Sequence, residues 1–307
     1  VTGPLVTAGD LLADPGDALV LDATVELPRP RVDGDHRAAS GAAGWAEAHI
    51  PGSAHLDLLG AFAEPGAVFH FAQPTPRRAT AVLTALGARD GRPVVVYDRA
   101  DGFWAARAWW SLRALGLPAR VLDGGLAAWR AAGGAVVSGT VAGPAGSGPA
   151  TAGGGGGPAA PGAGGPLTLR PRADVWATLD EVRAVAEGRA PGRLVCALAA
   201  DQFAGAAPTR YARRGHIPGS VNLPARALTG ADGLLLRGGA LAGALAPLAG
   251  DGPLVLYCGG GVSASHLALG LVAAGREDVR LYDGSLEEWA ARPDLPLVTD
   301  VPAVAGA

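Results

Sequence analysis

The chain has 307 residues, 49% of them hydrophobic and 17% charged, which suits two globular domains and excludes wholesale disorder. Its 28 acidic and 25 basic residues give a net charge of −3 without any basic block, so the electrostatic footprint for nucleic acid or an anionic membrane is missing. Every base is arginine, and the lack of lysine removes Schiff-base, pyridoxal-phosphate and P-loop chemistry.

The N-terminal stretch VTGPLVTAGDLLADPGD has neither the basic nor the long apolar region of a secretory signal, and no later run approaches the ~18–20 apolar residues of a membrane span. A soluble, cytoplasmic protein is expected. ALVLDA, ending near Asp22, is the first strand candidate; the turn HIPGSAHLDL follows at His49. Next come RPVVVYDRADG, whose apolar run ends at Asp98, the helical stretch WAARAWWSLRALG, closed by glycine, and RVLDGGLAAW through Trp129. Trp104, Trp109, Trp110 and Trp129 read as core and interface packing. Residues 138–166 are almost entirely Gly, Pro, Ala, Ser and Thr, with little side-chain area to set against backbone entropy, and read as a linker. Beyond them the series returns: GRLVCAL, HIPGSVNLPA at His216, GPLVLYC ending at Cys258, SASHLALGLVAAG, and RLYDGSLEEW through Trp289. Asp98 to Cys258 and Trp129 to Trp289 are both spaced by 160 residues, and His49 to His216 by 167. The chain is therefore an internal repeat, with expected domains at 1–137 and 167–307. Strands apolar on both faces, each followed by a helix, predict an α/β fold in which each copy is a mainly parallel sheet with helices on both faces.

Two cysteines, Cys196 and Cys258, are too few and too far apart for a zinc cluster or a disulfide framework. The segment LVLYCGGGVSASHLALGL is the most specific chemical signal. A buried strand delivers Cys258 to the sheet edge where open α/β folds bind ligands, and Gly259, Gly260, Gly261, Val262 and Ser263 lead into a helix. Consecutive glycines let several backbone N–H groups and a helix N-terminus turn toward the sulfur, which favours a thiolate and can hold an anionic persulfide. The alternative is a small buried hydrophobe beside a turn. The first copy offers only Asp98 at this place.

These motifs resemble the two-domain rhodanese-type sulfurtransferases, which include thiosulfate and 3-mercaptopyruvate enzymes. The resemblance implies tandem rhodanese-like domains, the first inactive with Asp98 in place of the cysteine and the second carrying Cys258. It implies a ping-pong reaction in which Cys258 takes a sulfane sulfur from a small-molecule donor and passes it to cyanide, a thiol or a protein acceptor, with no metal or organic cofactor. The loop CGGGVSA is similar to the neutral CG-S/T-GVTA of the mercaptopyruvate type; Gly260 lacks the usual hydroxyl and Ser263 keeps one. Of two arginines that hold a substrate carboxylate in the family, Arg210 in PTRYARRGHIPG fits the second, while Gln202 stands in place of the first. Cys196 and Leu198 replace the usual Asp and Arg nearby.

Arg213 and Arg214 are either compensating cations or solvated turn residues. His49 and His216 read as organisers of their turns, and His266 as a buried helix residue. Cys196, aligned with Asp22, is either a resolving thiol for a Cys258 persulfide or a packing replacement, depending on its distance from Cys258. Phosphatases of this fold need an arginine six residues after the cysteine, where Ala264 stands. A persulfide carrier or sulfur sensor with a protein acceptor is the non-enzymatic alternative, and thiosulfate:cyanide transfer the enzymatic one.

Overall fold

The computed structural model describes residues 3–139 and 165–300, so most of the expected linker lies outside the described residues. Strands β1 (Leu5–Val6), β2 (Leu19–Asp22), β3 (Val25–Glu26), β4 (Ala39–Ser40), β5 (Ala54–His55), β6 (Val94–Tyr97) and β7 (Ala119–Leu122) belong to the first half. The second half contributes β8 (Trp176–Ala177), β9 (Arg193–Cys196), β10 (Val221–Asn222), β11 (Leu254–Tyr257) and β12 (Val279–Tyr282). The helices are α1 (Ala8–Ala13), α2 (Ala42–Glu47), α3 (Pro76–Ala85), α4 (Phe103–Ala114), α5 (Gly125–Ala131), α6 (Leu179–Ala186), α7 (Ala200–Phe203), α8 (Gly238–Leu245), α9 (Val262–Ala273) and α10 (Ser285–Ala290).

The five-stranded sheet repeats in topology, and the first half adds the antiparallel pair β3-β4. The first sheet runs β1-β7-β6-β2-β5 and the second β8-β12-β11-β9-β10, every pairing parallel. The central strands β6 and β11 are buried at all four positions, as apolar runs covered on both faces must be. Alternation splits β6 between two cores: Val95 and Tyr97 pack with Leu11 of α1 and Trp129 of α5, while Val94 and Val96 face Leu83 of α3 and the α4 side. Helices thus cover both faces, as the sequence predicts.

α4 and α9, which follow the two central strands, pack on each other and join the halves. Every residue of α4 except Arg113 is buried, so this helix has no solvent face and the α4 core continues into the second half. The tryptophans divide accordingly: Trp110 meets Trp176 of the second half edge-on at 6.4 Å, whereas Trp129 stays within the first half.

The HIPG turns owe their recurrence to the strand-end tyrosines. Tyr97 Oη accepts the Ile50 N–H at 3.3 Å and lies 3.0 Å from Ser53 Oγ; Tyr257 Oη accepts the Ile217 N–H at 3.1 Å and lies 2.6 Å from Ser220 Oγ. His49 and His216 organise the turns, each with Nδ1 on a main-chain carbonyl, of Trp45 at 2.7 Å and Phe203 at 2.8 Å.

Candidate active site

Cys258 leaves β11 at the carboxyl edge of the sheet, and its residue is only 2% exposed. The helix begins at Val262, so Val262 and Ser263 form its first turn and the true loop is Gly259–Gly261, one residue shorter than Arg99–Gly102 in the first half. Each glycine there answers a different demand. A Cβ on Gly259 would meet Tyr211 Cε1 at 3.0 Å; Gly261 has φ +77° and lies against the Arg107 guanidinium; a Cβ on Gly260 would make ordinary van der Waals contact with Glu287 Oε2 at 3.5 Å and Phe71 at 3.7 Å.

The N–H groups of Cys258 and Gly261 do not turn to the sulfur; both donate to Ser285 Oγ, at 3.2 and 3.1 Å, and that hydroxyl donates to Tyr282 O at 2.9 Å. Ser285 is fully buried and holds φ +48°, a left-handed conformation that Gly125 occupies at the matching place in the first half. The first half shows what such a loop can hold. The fully buried Asp98 carboxylate accepts from Ala100, Gly102 and Ala105 N–H, each at 3.0 Å. Burial raises the Asp98 pKa against these hydrogen bonds, which favour the anion.

Cys258, Gln202 and Arg210 line one cavity of about 80 Å³, together with Tyr211, Glu287 and, from the first half, His36. The site therefore lies between the halves, where ligand pockets commonly form. Gln202 comes from the short α7. Arg210 is steadied by Nη2 donation to Pro28 O at 2.7 Å and Leu27 O at 3.3 Å, while its Nε is buried without a partner among the described residues. Burial lowers the Arg210 pKa. The guanidinium is thus a desolvated cation with a spare donor, suited to a carboxylate.

The other sequence candidates lie elsewhere. Arg213 donates to the carbonyls of Ala290, Arg292 and Leu295, and Arg214 pairs with Asp33 at 2.9 Å; neither lines the cavity. His266 is buried, stacked on Phe103 at 4.3 Å with Nε2 3.1 Å from Thr229 Oγ1, at the interface and away from the loop. Cys196 pairs in register with Tyr257, so its side chain shares that residue's face of the sheet, while Cys258 follows just beyond the strand end. It is fully buried, and both cysteines are free thiols. Burial pushes the Cys196 thiol up to about 12.

Several site residues escape sequence reasoning. Ser285 could have been found by comparing the copies, since DGG becomes DGS. Arg107 stands out as a cation in the apolar WAARAWW helix: 1% exposed, it crosses from α4 to donate to Phe71 O at 2.6 Å and Asp283 Oδ1 at 2.5 Å. Asp283 also accepts the Gln73 N–H at 2.8 Å, and its counterpart Asp123 accepts from Leu235 N–H and Arg237 of the second half at 2.9 and 2.8 Å. Each DG turn is held by the other half. His36, His70 and Glu287 carry no spacing signal, because they meet only through the fold.

The rhodanese-like domain model matches residues 14–132 and 206–292. SseB of Mycobacterium tuberculosis is 32% identical over 305 residues, covering 95% of this chain and 96% of that protein. The thiosulfate/3-mercaptopyruvate sulfurtransferase 1 of Arabidopsis thaliana is 36% identical over 258 residues, 81% of this chain and 67% of its own. Among solved structures, the 3-mercaptopyruvate sulfurtransferase SseA of Escherichia coli superposes with a TM-score of 0.74 at 25% identity, covering 92% of this chain and 99% of that one. With matches reaching into both halves, the chain belongs to the rhodanese family and is built as a tandem of two rhodanese-like domains.

Proposed function

We propose that the chain is a sulfurtransferase whose nucleophile is Cys258, with 3-mercaptopyruvate favoured over thiosulfate as donor. The observation that carries this reading is the placement of Cys258 on the wall of a pocket shared with the desolvated Arg210 and with Gln202. The Cys258 thiolate attacks the donor sulfur, and a new S–S bond forms as the donor's bond to that sulfur breaks. Mercaptopyruvate leaves as the pyruvate enolate, which takes a proton; thiosulfate leaves as sulfite. Cyanide or a thiolate then attacks the outer sulfur and Cys258 departs as thiolate, so atoms and electrons balance without a metal or organic cofactor.

Arg210 binds the donor carboxylate and Gln202 adds neutral hydrogen bonds where a second cation would be stronger. The loop carries no cation to receive a dianion, and Glu287 beside it repels one, which disfavours thiosulfate. The first half supports the cradle's role: the Asp98 carboxyl group, held by three main-chain N–H groups, occupies the equivalent loop. Cys196, fully buried with its thiol held protonated by burial, acts as packing in this reading. No helix among the described residues is long and apolar enough to cross a membrane, and a cytoplasmic location is part of the proposal.

The test is incubation with 3-mercaptopyruvate and with thiosulfate in separate runs. A mass gain of about 32 Da, one sulfur atom, is expected on Cys258, with thiocyanate formed once cyanide is added. Cys258→Ser should do neither with any donor. Turnover retained by that variant refutes the mechanism, and a preference for thiosulfate refutes the donor assignment. Gln202 in place of arginine favours one second reading, a persulfide carrier: the adduct then forms but passes only to a protein acceptor.

A further inference from the structure

We propose that His36, His70 and Glu287 form a binding site for a divalent transition-metal ion of the zinc class at the mouth of the Cys258 pocket. One donor atom from each residue lies within 4.8 Å of the other two. Zinc bonds of ~2.0–2.2 Å to nitrogen and oxygen set tetrahedral ligands about 3.4 Å apart, so closure needs only side-chain rotation. Two imidazoles and one carboxylate are a donor set that holds zinc with a position left open. The intermediate metals of the first transition row share this preference for imidazole, whereas calcium and magnesium seek oxygen.

The three residues come from separate elements that the fold has already fixed. His36 lies in the β3–β4 connection, which is pinned to the second half by Gly34 N–H on Thr209 O at 2.9 Å and Thr209 N–H on Asp33 Oδ1 at 3.0 Å. His70 donates its main-chain N–H to Glu287 Oε2 at 3.1 Å, and its ring Nδ1 meets Glu287 Oε1. Glu287 in α10 donates its own N–H to Gly259 O at 2.9 Å, so this ligand is anchored on the loop that carries Cys258. The imidazoles of His36 and His70 stack at 3.8 Å. The half-exposed His70 ring can turn out of the stack to aim a nitrogen at the ion.

The electrostatics suit a cation that displaces protons. Glu287 supplies the negative charge. Arg210 is the opposing cation near His36, and its Nη2 is engaged by the Leu27 and Pro28 carbonyls. An ion held here ties the β3–β4 connection to α10 across the pocket mouth, hindering donor entry, and so acts as a reversible inhibitor.

The binding test uses the full chain carrying Cys258→Ser, so that the nucleophilic sulfur cannot take the ion. Titration with Zn²⁺ by calorimetry, and by competition with a chromogenic zinc indicator, should show one equivalent bound. Adding His36→Ala or Glu287→Gln should weaken it by at least about tenfold, with unchanged thermal melts showing that each variant is folded. No stoichiometric binding to the Cys258→Ser protein, or equal affinity after His36→Ala, overturns the proposal. The inhibitory consequence rests on the sulfur-transfer reading and is tested separately: zinc should slow transfer reversibly with EDTA in the natural sequence and much less in His36→Ala. Inhibition alongside absent binding to Cys258→Ser would show that the thiol alone takes the metal, and also overturns the site.

Discussion

Replacing Ser285 by alanine is the most discriminating perturbation of the loop. Its hydroxyl serves three buried main-chain groups, accepting from Cys258 and Gly261 N–H and donating to Tyr282 O. Each buried polar group left unpaired costs roughly 1–3 kcal/mol, and the volume of one oxygen atom is too small to admit a water in its place. Two unpaired N–H groups alone amount to roughly 2–6 kcal/mol, a large share of the ~5–15 kcal/mol that holds a folded chain. Alanine keeps the unfavourable φ of +48°, whereas glycine relieves it by about 1 kcal/mol. The order of stability in urea melts should therefore be Ser285, then Ser285→Gly, then Ser285→Ala. Persulfide formation on Cys258 should slow in both variants, because the loop escapes the penalty by turning its N–H groups outward and carrying the sulfur with them. A Ser285→Ala protein with the midpoint and persulfide rate of the natural sequence would refute this account of what fixes the nucleophile.

Gly260→Ser should fold normally and raise mercaptopyruvate turnover by restoring a hydroxyl, while Gly261→Ala should destabilise by about 2 kcal/mol through its φ of +77° and its approach to Arg107; equal melts for the two would contradict the glycine assignments. Gln202→Arg should lower KM for mercaptopyruvate several-fold with kcat little changed, and an unaltered KM counts against this placement of the carboxylate. Burial depresses His266 to about 4, so the folded protein binds fewer protons than the unfolded chain below pH 6.5 and loses roughly 3 kcal/mol between pH 6.5 and 4. His266→Gln should flatten that acid limb of the stability profile, and an unchanged limb would remove His266 as its cause. Non-reducing peptide mapping after mild oxidation should find Cys196 and Cys258 unlinked; a linked peptide would restore the resolving role.

The repeat made the fold legible, because recurring HIPG and DG-x-x-x-x-W segments fix corresponding strands without any need to predict each one. The proposed site was legible where a single loop carries its residues: Cys258 and its glycines are contiguous, and Arg210 and Gln202 could be carried over by resemblance. What stayed hidden depends on distance across the interface. Nothing local to Arg107 announces Asp283, 176 residues away, and nothing in HFAQP announces that His70 meets Glu287, 217 residues on. The hydrogen-bond direction in the loop was hidden for another reason: triple glycine permits several backbone paths, and the Ser285 hydroxyl selects one.

The crossed attachment of the two DG turns has a consequence for how this chain tolerates change. Asp123 is gripped by the second half and Asp283 by the first, and Leu27, His36 and Phe71 of the first half line the pocket proposed for the reaction. A substitution at Arg107 or Gln73 in that idle copy should behave as an active-site mutation, although it lies outside the domain that bears the thiol. Mutational tolerance across the idle half should accordingly be uneven, low along α4 and the His70–Gln73 segment and high on its outer helices. Once duplicated and interlocked in this way, the silent half can lose its chemistry but cannot be discarded.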